Sequence, residues 1–328
     1  MKTKIVYIIA SSLDDIYWEE AWVSAWSARY HNPDAHIALV CDKETLETAK
    51  KSYRSKSLEL FDETITVDFD CGISNKQRSR WMKTNLREYV KGDFLFIDTD
   101  TVITDKLDEI DDWDIDIGMV YSEHRSCYQS DYYNNLYKMA YGHPLPFDMP
   151  YYNSGVIFAK DNENVYTFYQ RWHQHWQELG NKVCFTDQTP LSKTNMELGY
   201  PISEISGVFN CQISSSIKYL HLAKIMHFFH CWWYDDCPIS PFMGLSIYYK
   251  IKDRQGMDED IQRTIIYCKS SFDVRSAPVS GDLIPFLNST TIRFVLLPLF
   301  LKKRKLYQRV DKFIHLFCRV LYRLHIRI

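Results

Sequence analysis

Short apolar segments alternate with helix-like segments over the first hundred residues of this chain, and this alternation constrains its fold most. The apolar segments read as strands at residues 4–10, 36–40 and 64–69. The segments that follow them have helical spacing, at about residues 15–30, 43–55 and 75–91. Parallel strands need a crossover connection, which is usually a helix. The alternation therefore predicts an α/β fold in which a parallel sheet carries helices on both faces.

The next apolar run ends abruptly at two carboxylates. Residues 94–97 read as a buried strand, and Asp98 and Asp100 follow it two positions apart. Residues i and i+2 of an extended segment point to the same side, so both carboxylates are expected to face one point. Ligands bind at the carboxyl ends of strands in open α/β sheets, and paired carboxylates suit Mg²⁺ or Mn²⁺ beside a substrate diphosphate. The alternative is a pair of turn or capping residues, because the motif is short and the chain has 42 acidic residues.

Four segments stand out along the chain: residues 91–103 around the two aspartates, the Asn-x-Gly segment 152–157, Thr186-Asp187-Gln188, and the His-bearing segment 225–230. In this order they resemble segments of GT-A-fold glycosyltransferases, most of all family 8 and its bacterial relatives. The order and rough spacing match over about residues 4–233. The resemblance implies a GT-A fold, which is a Rossmann-like mixed sheet with helices on both faces. It also implies transfer of a hexose from a nucleotide sugar, with a UDP-sugar expected, to a saccharide acceptor.

The resemblance implies roles for individual residues. Asp98 and Asp100 would bind Mn²⁺ or Mg²⁺ together with His227, for which a core histidine on a strand is the alternative. Arg80 and Lys83 lie three apart on one helix face and would contact the donor, with a solvated face as the alternative. The residues implied in donor binding are Ala10, Ser11, Ser12, Arg80, Lys83, Asp98, Thr99, Asn153 and His230.

Asp187 and Gln188 are the candidate catalytic residues under this resemblance. In retaining members of the family, the amide at the Gln188 position lies near the anomeric carbon of the donor. An amide is a poor nucleophile, so we expect a front-face reaction through a short-lived oxocarbenium ion, with retention of configuration. Asp187 is the competing candidate for a charged role at that carbon. The chain departs from the family where His230 replaces a glycine and a phosphate-binding Lys is missing before Trp232, so His230 becomes a candidate phosphate contact.

The charge of the chain is unevenly distributed. Residues 292–328 carry ten Lys or Arg and one acid, which gives +9, whereas the remainder carries −12. From Leu306 onward, apolar residues recur at spacings of three and four, which predicts a basic amphipathic helix. Such a helix fits an anionic membrane surface, and a helix packed on the body with a solvated basic face is the alternative. We therefore expect a catalytic domain at residues 1–280 and a membrane-associating segment at residues 281–328.

Cysteine usage and the N-terminal residues favour a cytoplasmic protein, peripheral on the inner face of the cytoplasmic membrane. The nine cysteines form no C-x-x-C pair, which indicates reduced thiols. Residues 1–10 lack the long apolar region of a signal peptide. A zinc site of His227, His230, Cys231 and Cys237 would match no common zinc-finger spacing. The expected partners are the sugar donor, a saccharide or glycolipid acceptor such as a lipid-linked oligosaccharide or a lipopolysaccharide or capsule precursor, and the anionic membrane, with no nucleic acid.

Two other classes of function compete with this interpretation. A haloacid-dehalogenase-type phosphatase also begins with a strand and Asp-x-Asp, but it expects Gly and then Thr where this chain has Thr101 and Val102. A non-catalytic GT-A-like protein that binds sugar or nucleotide is the second alternative, and the retained metal ligands speak against it. The donor sugar, the acceptor and the linkage do not follow from the sequence.

Overall fold

The computed structural model describes residues 1–70, 72–125, 131–146, 148–180, 186–229, 240–272 and 289–323. The chain divides into two units, one of residues 1–128 with 136–278 and one of residues 129–135 with 279–328. The boundary expected at residues 280 and 281 lies outside the described residues. The two-domain division at that point therefore stays a prediction.

The strands that the structure describes in the larger unit form two sheets. They are β1 (Lys4–Ile9), β2 (Ile37–Asp42), β3 (Glu63–Val67), β4 (Phe94–Ile97), β5 (Thr101–Ile103), β6 (Ile117–Tyr121), β7 (Tyr152–Ala159), β8 (Ile202–Glu204), β9 (Cys211–Gln212) and β10 (Ile225–His227). The large sheet has the order β3-β2-β1-β4-β7-β6-β8, and the small sheet has the order β5-β10-β9. The first four strands of the large sheet are parallel, whereas β7 is antiparallel to both of its neighbours. The α/β class and the mixed sheet are thus confirmed.

The helices that precede residue 289 follow or connect these strands along the chain, and residues 131–135 of one of them belong to the smaller unit. They are α1 (Tyr17–His31), α2 (Lys43–Lys50), α3 (Asn75–Thr84), α4 (Leu86–Tyr89), α5 (Asp131–Tyr141), α6 (Glu163–Leu179), α7 (Gln188–Glu197), α8 (Ser246–Arg254) and α9 (Glu259–Ile266). Two predicted helices are interrupted. The first ends at Lys50 and continues as a 3₁₀ helix (Tyr53–Leu60), and the second is divided at Asn85, whose backbone is not helical.

The side chains of β1 alternate between the two faces of the large sheet and are buried in two different hydrophobic clusters. The first cluster contains Ile5, Tyr7 and Ile9 of β1 together with residues of α1. The second contains Val6 and Ile8 of β1 together with residues of α3 and α6. Trp18 of α1 is buried in the first cluster, and Trp172 of α6 is buried in the second. Burial of each such side chain contributes on the order of 2–3 kcal/mol. Helices therefore lie on both faces, as predicted.

The second unit contains the basic C-terminal helix. A π-helical turn (Ile292–Leu296) leads into α10 (Leu297–Lys302), and α11 (Arg304–Arg323) follows. The helix predicted from Leu306 onward is thus present as far as the described residues extend. Phe313 and Phe317 of α11 are exposed. Among the residues that the structure describes, no helix has the length and apolar character needed to cross a membrane.

Candidate active site

The site forms at the turn where the chain leaves the large sheet and enters the small one. Asp98 follows the last residue of β4, and Asp100 precedes the first residue of β5. The Asp98 N–H donates to the carbonyl of Gly155 on β7 at 2.7 Å. Thr101 of β5 is paired with His227 of β10 in an antiparallel ladder. Backbone pairing in two sheets therefore fixes the turn that carries both carboxylates and places a histidine beside it.

Asp98, Asp100 and His227 lie close enough together to share one metal ion. One ligand atom from each side chain lies within 4.8 Å of the other two. Nε2 of His227 is 3.1 Å from Oδ1 of Asp100, which matches the spacing of about 3 Å between adjacent ligands of an octahedral ion bound at about 2.1 Å. Carboxylate and imidazole donors bind several divalent cations, including Mn²⁺ and Mg²⁺, and do not by themselves select one of them. The residues therefore fit a divalent ion, although a turn and a second sheet, rather than the repeat of one strand, bring them together.

The imidazole of His227 lies directly against the backbone of Gly155. A Cβ atom at residue 155 would lie 2.2 Å from Cε1 and 2.8 Å from Nδ1 of that ring. Carbon atoms that are not bonded prefer separations of about 3.5–4.0 Å. The glycine of the predicted Asn-x-Gly segment is thus required for the close approach of the histidine.

A series of amide hydrogen bonds also holds Nδ1 of the same imidazole in place. Nδ1 of His227 lies 2.9 Å from Oδ1 of Asn210, and Nδ2 of Asn210 donates to Oδ1 of Asn153 at 2.8 Å. That Asn153 oxygen also accepts the N–H of Gly155 at 2.9 Å. Asn153, expected as a donor-sugar ligand, therefore has its carboxamide oxygen bound within the protein.

Two basic side chains of α3 pair with carboxylates of the site. Nζ of Lys83 lies 3.0 and 3.2 Å from the two oxygens of Asp98 and 3.2 Å from Oδ2 of Asp187. Nε of Arg80 lies 3.2 Å from Oδ1 of Asp187. Lys83 is only 2% exposed, so the solvated helix face considered for it is not what the structure contains. The Lys83 ammonium thus links the turn that carries Asp98 to the residue that precedes α7.

Asp187 is a buried and ionised carboxylate that precedes the first residue of α7. The Ser154 hydroxyl donates to its Oδ2 at 2.6 Å, and Nε1 of Trp172 donates to its carbonyl at 2.9 Å. Burial acts to raise the pKa of Asp187, but the charges of Arg80 and Lys83 and the Ser154 hydrogen bond hold that pKa well below its usual range. The site therefore contains a fixed negative charge across the neutral pH range.

Gln188 and Thr99 each make a hydrogen bond within the protein. Nε2 of Gln188 donates to the carbonyl of Tyr152 on β7 at 3.0 Å, which fixes the carboxamide against that strand. Oγ1 of Thr99 donates to Oε2 of Glu20, a fully buried residue of α1, at 3.3 Å. The first turn of α1 therefore borders the turn that carries the two aspartates.

The residues that follow β1 are held in place by a buried arginine. Nη1 of Arg54 donates to the Ser12 carbonyl at 2.8 Å and to Oγ of Ser11 at 3.2 Å. The rest of the guanidinium binds both carboxylate oxygens of Glu19, at 2.7 and 2.8 Å. Ala10 and Ser11 are buried, and the ends of the parallel neighbours β1 and β4 lie at the same edge of the sheet. The segment 10–12, which is predicted to bind the nucleotide, is thus a loop held in place at the same edge of the large sheet as Asp98.

The expected phosphate contact His230 lies outside the described residues, as do Cys231 and Cys237 of the zinc alternative. Several participants, among them Asn210 and Arg54, were not anticipated from the sequence. Asn210 belongs to no recognised motif, and Arg54 lies in a segment whose charge pattern is that of an ordinary surface helix.

Neither a protein-family model nor a curated protein sequence matches this chain. Solved structures resemble it at low sequence identity. Mouse xyloside xylosyltransferase 1 is 14% identical over 69% of this chain and 97% of its own, with a TM-score of 0.47. The galactosyltransferase LgtC, solved with donor and acceptor sugar analogs, is 15% identical over 80% of this chain and 100% of its own, with a TM-score of 0.48.

The glycosyltransferase GlyE of Streptococcus pneumoniae is 13% identical over 84% of this chain and 66% of its own, with a TM-score of 0.48. All three are glycosyltransferases, the class that the sequence motifs resemble.

Proposed function

We propose that this chain is a metal-dependent glycosyltransferase that takes a hexose from a nucleotide sugar, expected to be a UDP-sugar. The observation that carries this proposal is the cluster of Asp98, Asp100 and His227 next to the buried charge of Asp187. Lys83 lies between the two parts of the site and contacts both. Such an arrangement provides one place for a diphosphate with its cation and an adjacent place for a sugar.

The leaving group of a sugar nucleotide is a diphosphate, whose negative charge grows as the glycosidic bond breaks. When bound, Mn²⁺ or Mg²⁺ supplies Lewis-acid stabilisation of that charge. Asp98, Asp100 and His227 are the residues that would hold the ion. Lys83 neutralises part of the charge of Asp98 in the protein alone, so a cation competes with its ammonium group for the same oxygens.

Asp187 and Gln188 are proposed to act on the donor sugar. Positive charge develops at the anomeric carbon in an oxocarbenium-like transition state, and a carboxylate that stays ionised is suited to stabilise it or to orient a sugar hydroxyl. The Gln188 carboxamide is a poor nucleophile, so the proposed reaction proceeds on the front face with retention and without a covalent intermediate. Asp187, ionised by its contacts with Arg80 and Lys83, is the alternative group at that carbon.

The proposed acceptor is a glycolipid or lipid-linked saccharide at the inner face of the cytoplasmic membrane. The basic residues Lys302–Lys305 precede or begin α11, and Phe313 and Phe317 are exposed on that helix. A basic amphipathic helix binds an anionic interface through apolar burial and through attraction of each Lys or Arg to the lipid headgroups. A tail that binds lipid would attach the chain to the membrane that contains such an acceptor.

A panel of nucleotide sugars, each assayed for hydrolysis with Mn²⁺ and with excess chelator, tests this function. We expect release of the nucleoside diphosphate from one donor, only with metal present.

Gln188→Ala should still bind nucleoside diphosphate with metal but transfer sugar slowly. Nucleotide binding without turnover of any donor would instead support the non-catalytic alternative. Release of phosphate from a phosphomonoester would support the phosphatase.

A further inference from the structure

A series of buried hydrogen bonds joins the backbone of β7 to the histidine of β10. The Gly155 N–H lies 2.9 Å from Oδ1 of Asn153, and that oxygen lies 2.8 Å from Nδ2 of Asn210. Oδ1 of Asn210 lies 2.9 Å from Nδ1 of His227. Asn153 is 5% exposed, Asn210 is 0% exposed and His227 is 2% exposed, so water does not compete for these contacts.

The backbone N–H at one end of the series determines every other donor and acceptor. An N–H only donates, so the Asn153 atom that it meets must be the carboxamide oxygen. Asn210 must then turn its NH₂ group toward this oxygen and its own oxygen toward His227. An amide oxygen only accepts, and Nδ1 of His227 must therefore carry the proton. We infer that Asn210 is a positioning residue that holds His227 in the Nδ1–H tautomer, with the lone pair of Nε2 directed toward Asp100.

The tautomer decides what His227 can do at the metal site. A neutral imidazole binds a metal through the nitrogen that has no proton. With the proton on Nδ1, the lone pairs of Nε2 and of Oδ1 of Asp100 converge across 3.1 Å, an arrangement that a shared cation stabilises. With the proton on Nε2, the imidazole would donate to Asp100 instead and close the site to a cation. The amide series therefore selects the form of His227 that is competent to bind metal.

This positioning role rests on the proposed function, because it assigns Asn210 to the proposed cation site. Loss of a hydrogen bond to the second ring nitrogen of a histidine ligand typically lowers metal affinity by about 10- to 100-fold. A purely structural role would predict that removal of the Asn210 amide lowers stability without a change in the His227 tautomer or in metal affinity.

The tautomer can be measured directly by ¹⁵N NMR of the full chain labelled at histidine, without metal, at about pH 8.5, where an ordinary histidine is neutral. The His227→Gln variant identifies the signals. We expect a protonated, pyrrole-type Nδ1 and an unprotonated, pyridine-type Nε2. A proton on Nε2 would overturn the inference.

Metal affinity provides the second test, with Mn²⁺ alone as the probe and the electron paramagnetic resonance signal of the free ion as the readout. Asn210→Leu keeps the branched shape and the number of side-chain heavy atoms but removes the acceptor, and we expect the Kd for Mn²⁺ to rise about 10- to 100-fold. Asn195→Leu is the matched control, because it removes a fully buried amide of α7 that accepts the Ile202 N–H at 3.1 Å. Unchanged Mn²⁺ affinity in Asn210→Leu would overturn the positioning role.

Asn153 provides a variant pair that does not alter Asn210 itself. Asn153→Asp keeps an oxygen for both donors, so it should retain the Nδ1–H tautomer, whereas Asn153→Leu should lose the preference and weaken Mn²⁺ binding. Equal tautomer populations in the two variants would contradict the series. Failure of the wild-type chain to bind Mn²⁺ would remove the cation site of the proposed function, and the NMR measurement would still decide the tautomer.

Discussion

At residue 155, the absence of a side chain decides whether His227 can lie beside Asp100. Gly155→Ala would place a Cβ atom 2.2 Å from the imidazole, so either the ring or strand β7 must move. We expect a loss of about 1–3 kcal/mol in the free energy of unfolding, as is typical of overpacking, together with weaker Mn²⁺ binding.

Gly256→Ala is the matched control for this substitution. Its Cβ would meet only Nζ of Lys56, at 3.8 Å, which is ordinary contact. Urea unfolding and Mn²⁺ titration of both variants provide the comparison. If Gly155→Ala binds Mn²⁺ as tightly as Gly256→Ala, the close approach of His227 is not needed for the metal site.

Because of Asp187, the free energy of unfolding should change with pH in the acid range. The ordinary pKa of this carboxyl is 3.8; burial opposes ionisation, but Arg80, Lys83 and Ser154 hold the folded-state pKa well below that value. As the pH falls, the unfolded chain therefore takes up this proton before the folded chain does. The stability that Asp187 contributes is fully present above about pH 5 and is lost as the pH falls toward the folded-state pKa.

Asp187→Asn should remove this contribution. At pH 7 we expect the free energy of unfolding to fall by on the order of 3 kcal/mol, because Arg80 and Lys83 lose a buried partner. Between about pH 5 and pH 3, the variant should lose less stability than the wild-type chain. Urea unfolding at several pH values measures both effects, and parallel stability curves would show that Asp187 is not ionised as described.

At the scale of secondary-structure elements, the 3₁₀ helix Tyr53–Leu60 is joined to α1 by the buried pair of Arg54 and Glu19. Arg54→Met would leave the Glu19 carboxylate buried without its cation, and we expect a loss of about 3–5 kcal/mol. Arg54→Met combined with Glu19→Leu should recover much of that loss, because no uncompensated charge remains. Urea unfolding is the measurement, and a double variant no more stable than the single one would contradict this reasoning.

The elements of the large sheet were predictable because their signals lie in adjacent residues. The predicted strand at residues 4–10 and helix at residues 15–30 correspond to β1 and α1 within about two residues. The interruption at Asn85 was not predictable in the same way. Apolar spacing continues across it, and α3 and α4 both pack against α6 on either side of the division.

The candidate site was predictable only in part. The motifs named Asp98, Asp100 and His227, whose ligand atoms do lie together. The turn between two sheets was not foreseen, because an apolar run followed by two aspartates reads as one continuous strand. Asn210 could not be found from the sequence, since its role arises only when β9 and β10 pair and bring it between Asn153 and His227.

At the scale of the whole molecule, positive charge is concentrated at one end of the chain. Residues 292–328 carry +9 against −12 for the remainder, and Phe313 and Phe317 of α11 are 70% and 54% exposed. We expect the full chain to sediment with anionic vesicles at low salt and to be released as salt screens the attraction. If the chain ignores anionic vesicles at low salt, the tail is a structural helix and a membrane-bound acceptor loses its support.

The double substitution Phe313→Ser and Phe317→Ser should weaken this vesicle binding at least tenfold. Burial of a phenyl side chain contributes on the order of 1.5–3 kcal/mol, and the two substitutions remove both. Tyr267→Ser is the control, because Tyr267 is a 61% exposed aromatic residue of the larger unit. An equal loss of vesicle binding in the control would mean that α11 is not the membrane-binding element.

Mn²⁺ binding in the presence and absence of nucleoside diphosphates tests the central claim most directly. The wild-type chain should bind Mn²⁺, and one nucleoside diphosphate, expected to be UDP, should increase that affinity. By linkage, Mn²⁺ should increase the affinity for the same nucleotide by the same factor. Asp100→Asn should remain folded and lose both effects. Mn²⁺ affinity that is unchanged in Asp100→Asn, or nucleotide binding that is indifferent to the metal, would contradict a metal-dependent nucleotide-sugar site at Asp98, Asp100 and His227.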